Sequence, residues 1–230
     1  MKDTAAFLMA AGKGDRMFPL TLTTPKPLAH VHGRPMIETI ITGLKNAGVD
    51  RIYIIVGYLG EQFEYLTKKY ENTEIIRNSE YETINNISSL HAAADRLGES
   101  DCFICESDLF VADTSIFDLD GKASAYYGVK MQHSDDWVFH TENERVVSVG
   151  LGGDDCYNYC GIAFFKKRDA QIIKETVLDL YSRPGYENMM LDHVVNTCAK
   201  ELELYANPLK EGQIVEIDTF RDLERINQHD

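Results

Sequence analysis

The sequence predicts an α/β fold built on a largely parallel sheet, and three observations carry that expectation. Strand-like runs alternate with helix-length amphipathic segments through the first half of the chain. The first of these strands runs into a loop with two closely spaced glycines. The 230 residues, 44% apolar and 26% charged, can bury a sizeable core without disulfide staples.

Thr4–Met9 is small and apolar and reads as the first strand. Pro35–Ala47 reads as a helix stopped by Gly48, and Arg51–Val56 as the second strand. Glu61–Tyr70 has helical spacing in Phe63, Leu66 and Tyr70, Glu74–Ile76 is a short strand, and Ile87–Leu97 is a third helix. This βαβαβα order implies parallel strands with helices on both faces.

Cys102–Cys105 continues the pattern as a buried strand ending in Glu106-Ser107-Asp108. The pattern then changes, and Ser124–Val129, Val138–Phe139, Val146–Val149 and Gly161–Phe165 read as shorter strands joined by polar turns. Helices over Ala170–Ser182 and Met189–Ala199, a strand near Ile214–Ile217 and a helix from Thr219 complete the chain. With no linker, repeat or low-complexity stretch, the expectation is one domain over 1–230 with a β-rich insertion or lid at about 123–165.

Charge narrows the partners. Lys and Arg number 23 against 37 Asp and Glu, a formal charge of −14, which argues against nucleic acid or an anionic membrane surface. No apolar run approaches the roughly 20 residues of a membrane helix. The short apolar patch near the N-terminus runs into a charged, Gly-rich loop, unlike a secretory signal, so a cytoplasmic location is expected.

Five Cys, at 102, 105, 156, 160 and 198, fit reduced thiols better than a disulfide framework. The two spaced pairs invite a zinc reading. Residues three apart on a strand face opposite sides, however, so buried thiols are preferred for Cys102 and Cys105. The His residues at 30, 32, 91, 133, 140 and 193 share no spacing, and Met189-Met190-Leu191 reads as core packing.

The chemistry concentrates in residues 8 to 29. Gly12 and Gly14 allow a tight turn and close approach to a ligand, so that successive N–H groups can face phosphate oxygens, with Arg16 and Lys26 as counter-charge. There is no third Gly for a dinucleotide fingerprint and no Gly-Lys-Ser/Thr for a P-loop. Ala10, Ala11, Gly12, Gly14, Arg16, Pro19, Leu20, Thr21, Pro25, Lys26, Pro27 and Leu28 together resemble the signature of the nucleotidyltransferase family.

That resemblance implies a Rossmann-like nucleotidyltransferase fold, with a mostly parallel central sheet, helices on both faces and a β-rich lid. By it, the loop from Ala10 and Ala11 through Gly14 wraps a nucleoside triphosphate whose phosphates are held by Arg16 and Lys26. Glu106 stands on the nucleotide side, and Asp108 ligates Mg2+ at a strand end where open sheets place ligands. Asp218, between a strand and a helix, is either an N-cap or the second carboxylate on magnesium, and the resemblance favours the latter.

Tyr81, Asn85, Asn86, Ser89 and Leu90 resemble a stretch of bacterial choline-phosphate cytidylyltransferases. There Asn86 and Ser89 would face the nucleotide, although two Asn before a helix can also simply cap it. An Asn amide both donates and accepts, which suits cytosine. Asp136-Trp137 and Asp192 align with that group's choline-recognising region, against a buried structural Trp as the alternative. The group's second aromatic patch is here Met190-Leu191, for which Tyr157, Tyr159 or Tyr186 are candidate substitutes. Lys130 is a candidate for the acceptor phosphate or an ordinary solvated Lys. Glu-Ser-Asp-Leu at 106 to 109 is closer to 2-aminoethylphosphonate cytidylyltransferases.

The implied partners are CTP and a small cationic phospho-amino-alcohol. Phosphocholine is expected as preferred acceptor, 2-aminoethylphosphonate or phosphoethanolamine as the alternative, and a sugar 1-phosphate as a further one. An already ionised phosphate needs no general base, so none is assigned. A non-catalytic nucleotide-binding module is the remaining class, and intact Arg16, Lys26, Asp108 and Asp218 count against it.

Overall fold

The computed structural model describes residues 3–118 and 123–228. Its strands are β1 (Thr4–Ala10), β2 (His30–Val31), β3 (Arg34–Pro35), β4 (Arg51–Val56), β5 (Thr73–Arg77), β6 (Asp101–Glu106), β7 (Leu109–Val111), β8 (Ser124–Glu142), β9 (Arg145–Phe165), β10 (Leu204–Leu209) and β11 (Ile214–Glu216). The helices are α1 (Met36–Asn46), α2 (Glu64–Lys69), α3 (Ile87–Ala92), α4 (Lys167–Tyr181), α5 (Leu191–Cys198) and α6 (Phe220–Asn227).

Seven strands form the main sheet in the order β10-β8-β9-β6-β1-β4-β5. β6, β1, β4 and β5 are mutually parallel, β9 runs antiparallel to both β6 and β8, and β10 is parallel to β8. The expected mostly parallel sheet is therefore present with one reversed strand. β1 has β4 on one side and β6 on the other, so the chain changes winding direction there, and the carboxyl ends of β1 and β6 flank a ligand crevice.

Alternation along β1 explains why both faces are covered. Ala5 and Phe7 pack with Ile87, Leu90, Ile173 and Val194 on one face, and Ala6 and Leu8 with Ile37, Ile40 and Ile41 of α1 on the other. Cys102 and Cys105 lie in these two opposite clusters, as expected from their spacing, and burial pushes both thiols up.

The region after β7 departs most from expectation. The four short strands are segments of two long ones, β8 and β9, joined at Asn143-Glu144, both with positive φ as a tight hairpin turn demands. Register shifts between Ser134 and Phe139 bend the ribbon, and Val138 and Phe139 each face two partners on β9. Residues 130–136, polar apart from Met131, carry no apolar alternation, so pairing there leaves no hydropathy signal. β10 was also unexpected: Asn207 and Pro208 disfavour a strand, but Pro is tolerated towards a sheet edge. Among the described residues, no helix is long and apolar enough to cross a membrane.

The end of β4 is held tightly under the first loop. Tyr58 N donates to Ala11 O at 3.0 Å, and a Cβ on Gly57 would lie 2.5 Å from the Tyr81 ring and 2.8 Å from Ala11 O. Gly57→Ala must displace backbone as well as a side chain. It should therefore cost roughly 1–3 kcal/mol, read as a lower denaturant midpoint at unchanged slope.

Candidate active site

A cleft of about 730 Å3 opens at the carboxyl ends of β1 and β6. Loops following β1 and β6, the curled β8–β9 ribbon, the start of α5 and the segment after β11 all reach it. Ala10, Gly12, Gly14, Arg16, Lys26, Asn86, Glu106, Asp108, Asp136, Trp137, Asp192 and Asp218 line it. Residues spread over most of the chain are thus brought together.

The glycines act differently. Gly14 has φ +67°, and a Cβ there would come 2.8 Å from the Lys26 Cβ, so both backbone and packing require glycine. A Cβ on Gly12 would meet nothing within 4 Å, so its own neighbours impose no such demand. Its bare backbone faces the cleft.

Lys26 is buried, and its Nζ donates to Asp108 Oδ2 at 2.8 Å and Asp218 Oδ1 at 3.0 Å. Burial opposes the charge, but the two carboxylates outweigh it and raise the Lys26 pKa. Arg16 forks onto the same Asp218, Nη1 to Oδ2 at 2.9 Å and Nη2 to Oδ1 at 2.8 Å. The capping alternative for Asp218 is not what the structure has: Thr219 caps α6, its Oγ1 accepting from Asp222 N while Asp222 Oδ2 accepts from Thr219 N. Asp218 is left to face the cleft.

Negative charge is crowded around this centre. The Glu106 carboxyl is pushed well up, first by desolvation and then by Asp108, Asp192 and Glu216. Glu216 is raised to about 7, first by desolvation and then by Asp218 and Asp108, although its side chain still reaches solvent. Glu216 was missed from sequence. Its position two residues before Asp218 on extended chain would have marked it as a neighbour.

Beside the cleft, a recess of about 120 Å3 is bordered by Ala11, Gly12, Asn78, Tyr81, Asn86 and Ser89. Ser89 Oγ accepts from Asn78 Nδ2 at 3.2 Å. Asn86 begins α3, yet its side chain does not cap that helix; Oδ1 accepts from Leu191 N at 2.9 Å.

The ribbon and the start of α5 add Asp136, Trp137, Tyr159, Met190 and Asp192 to the lining. Trp137 is half-buried and meets the His193 ring edge-on, with centroids 4.9 Å apart. Asp192 is 1% exposed, and Oδ1 accepts from the Tyr126 hydroxyl at 2.8 Å. Tyr159 stacks on Tyr126 at 4.2 Å between centroids. Tyr157 and Tyr186 do not line the cleft, and neither does Lys130, whose Nζ sits 2.9 Å from Asp155 Oδ1 and over the Tyr157 ring. The structure therefore does not bring Lys130 to the acceptor end. Leu191 is buried in the core while Met190 reaches the cleft, which divides the expected Met-Met-Leu packing.

Comparison with known proteins gives a consistent picture. Residues 6–150 match the family model described as MobA-like NTP transferase domain. A 2-aminoethylphosphonate cytidylyltransferase from Lancefieldella rimae is 45% identical over 96% of this chain and 90% of its own length. A choline-phosphate cytidylyltransferase from Haemophilus influenzae is 32% identical over 97% and 96%. The solved structure of a CTP:phosphocholine cytidylyltransferase from Streptococcus pneumoniae superposes with TM-score 0.89 at 29% identity, covering 98% of both chains.

Asp192 carries a testable stability cost. Desolvation lifts its pKa from 3.8 to about 6, against the lowering effect of the Tyr126 hydroxyl. A raised native carboxyl pKa means that stability falls as pH rises from about 4 to 6 and stays low above it. The penalty at pH 7 is on the order of 3 kcal/mol. Asp192→Asn keeps an oxygen for Tyr126, so it should unfold at higher temperature than wild type at pH 7, with the gap closing below pH 4. A melting-temperature series over pH reads this.

Proposed function

The chain belongs to the MobA-like NTP transferase family, and from that premise we propose that it transfers the cytidylyl group of CTP to 2-aminoethylphosphonate, releasing pyrophosphate. The observation that carries the choice of acceptor is the acidic, half-aromatic end of the cleft, where Asp192 is buried beside Trp137, Tyr159 and Asp136. A primary ammonium donates three hydrogen bonds and needs carboxylates or hydroxyls; a trimethylammonium donates none and needs several ring faces. With Tyr157 and Tyr186 outside the cleft, aliphatic Met190 stands where a second aromatic patch would be needed. The 45% identity to a 2-aminoethylphosphonate enzyme supports the same order. It reverses the ranking expected from sequence.

Phosphocholine is the second reading, favoured by Trp137 beside Asp136 and by the 0.89 superposition. Five unbridged thiols, four of them buried, are consistent with a cytoplasmic enzyme.

The acceptor's charges fix its direction: ammonium towards Asp192 and Asp136, phosphonate towards Lys26 and Arg16. Its ionised oxygen attacks the α-phosphorus as pyrophosphate leaves, and no side chain must remove a proton. Arg16, Lys26 and the N–H groups of the first loop hold the triphosphate, leaving alignment and charge neutralisation as the protein's contribution. Asp108 and Asp218 would hold magnesium once Lys26 and Arg16, which donate to their oxygens in this structure, turn to the triphosphate. Two hard oxygen donors in a cleft with surplus negative charge fit that ion, whose remaining positions are commonly filled by water and substrate phosphate. When bound, the ion would supply further charge neutralisation on the phosphates.

Two measurements test this. Pyrophosphate release should favour CTP over UTP at least tenfold and 2-aminoethylphosphonate over phosphocholine by a similar factor, with glucose 1-phosphate inert. Equal rates with CTP and UTP would refute the nucleotide assignment, and preference for phosphocholine would restore the second reading. Lys26→Ala should lower kcat/KM by about 10²–10³-fold while the protein stays folded. A loss below threefold would remove Lys26 from the phosphate site.

A further inference from the structure

The Asn85–Ile87 segment and the start of α5 are not independent pieces of the cleft wall. Residues 85–87 and 187–191 are laced together: Asn85 N donates to Glu187 O at 2.8 Å, Ile87 N to Met189 O at 3.2 Å, and Leu191 N to Asn86 Oδ1 at 2.9 Å. Two of these links are backbone to backbone and tolerate any side chain. The third depends on one carboxamide. Because a backbone N–H can only donate, Oδ1 must face Leu191, and the Nδ2 end is turned elsewhere. Asn86 itself lines both the cleft and the adjoining recess.

The bond to Leu191 lies at the first turn of α5, between Met190 and Asp192, the two residues of that segment that reach the acceptor end. Met190 N is satisfied separately by His193 Nδ1 at 3.1 Å. Asn86 is thereby tied to the segment that carries Asp192.

We propose that Asn86 is a positioning residue that couples the two halves of the site: its oxygen sets the start of α5, and hence Asp192, while its amide nitrogen is held by bound nucleotide. This rests on the reading of the cleft as taking CTP at the first loop and the acceptor at Asp192. Nucleotide binding then orders the acceptor end, and the two substrates bind with positive coupling, reciprocal as linkage requires.

Two substitutions separate the roles. Asn86→Asp keeps an oxygen for Leu191 N–H and removes the amide donor; Asn86→Ala removes both. With CTP saturating for each variant, Asn86→Ala should raise the acceptor KM about tenfold with kcat changed less than about threefold, whereas Asn86→Asp, which keeps the tether and loses only the nucleotide's hold, should raise it by no more than about threefold and should no longer slow exchange over residues 187–192 when CTP binds. In both, CTP affinity measured by calorimetry should fall. Hydrogen exchange over residues 187–192 of the free protein should be about tenfold faster in Asn86→Ala and near wild type in Asn86→Asp. In wild type, CTP should slow exchange in that segment. The inference is overturned if Asn86→Ala leaves acceptor KM and exchange unchanged, if Asn86→Asp behaves like Asn86→Ala, or if bound CTP leaves the segment's exchange as it was. Should Asn86→Ala fail to fold, the wild-type exchange with CTP and the Asn86→Asp kinetics decide. If wild type neither binds nor turns over CTP, the functional reading fails, and free-protein exchange alone judges the tether.

Discussion

An ammonium group with almost no access to water stays charged only in company, and the pairing of Lys26 organises the cleft. Breaking such a buried pair typically costs 3–5 kcal/mol. Its two partners come from distant parts of the chain: Asp108 follows β6, and Asp218 follows β11, with Arg16 holding the latter from the same loop as Lys26. One nitrogen therefore fixes the first loop, the central sheet and the C-terminal segment against one another. Gly14 has no side chain because Lys26 passes where a Cβ would lie.

The chain is acidic, its cleft more so, and the proposed substrates are anions. Sequestering the positive charge at one end resolves this. On the proposed reading Arg16 and Lys26 mark the phosphate end, and Asp192 and Asp136 the amine end, so the field along the cleft would sort a zwitterionic acceptor head from tail. The buried Asp192 carboxylate lowers stability and is retained where an ammonium partner would offset it.

Much of this was legible in the sequence because it is local. The first loop declares itself by glycines and cations within a short span, and Asp108 by its place at the end of a buried strand. The parallel half of the sheet follows from the alternation of strand and helix. What could not be read depends on long-range pairing. The β8–β9 ribbon crosses a polar stretch whose strand character exists only in its partner. Lys130 looked available, but Asp155 across the ribbon claims it. Asn86 reads as facing the nucleotide or else capping its own helix, and the structure gives its oxygen to a different helix 105 residues away. Glu216 is within reach of a period-two reading from Asp218, but nothing local signals the desolvation and neighbouring carboxylates that raise it.

Trp137 and Asp136 are carried by the bent hairpin, whereas Arg16, Lys26 and Asp108 sit on loops that follow β1 and β6 of the parallel core. Substitution, insertion or a change of bulge in that ribbon alters the far end of the cleft without moving Lys26 or its carboxylates. The part of the wall contributed by this ribbon can therefore vary while the part contributed by Met190 and Asp192 at the start of α5 stays as it is. Duplicated copies of such a gene would be expected to keep one half of the cleft recognisable long after the other has diverged.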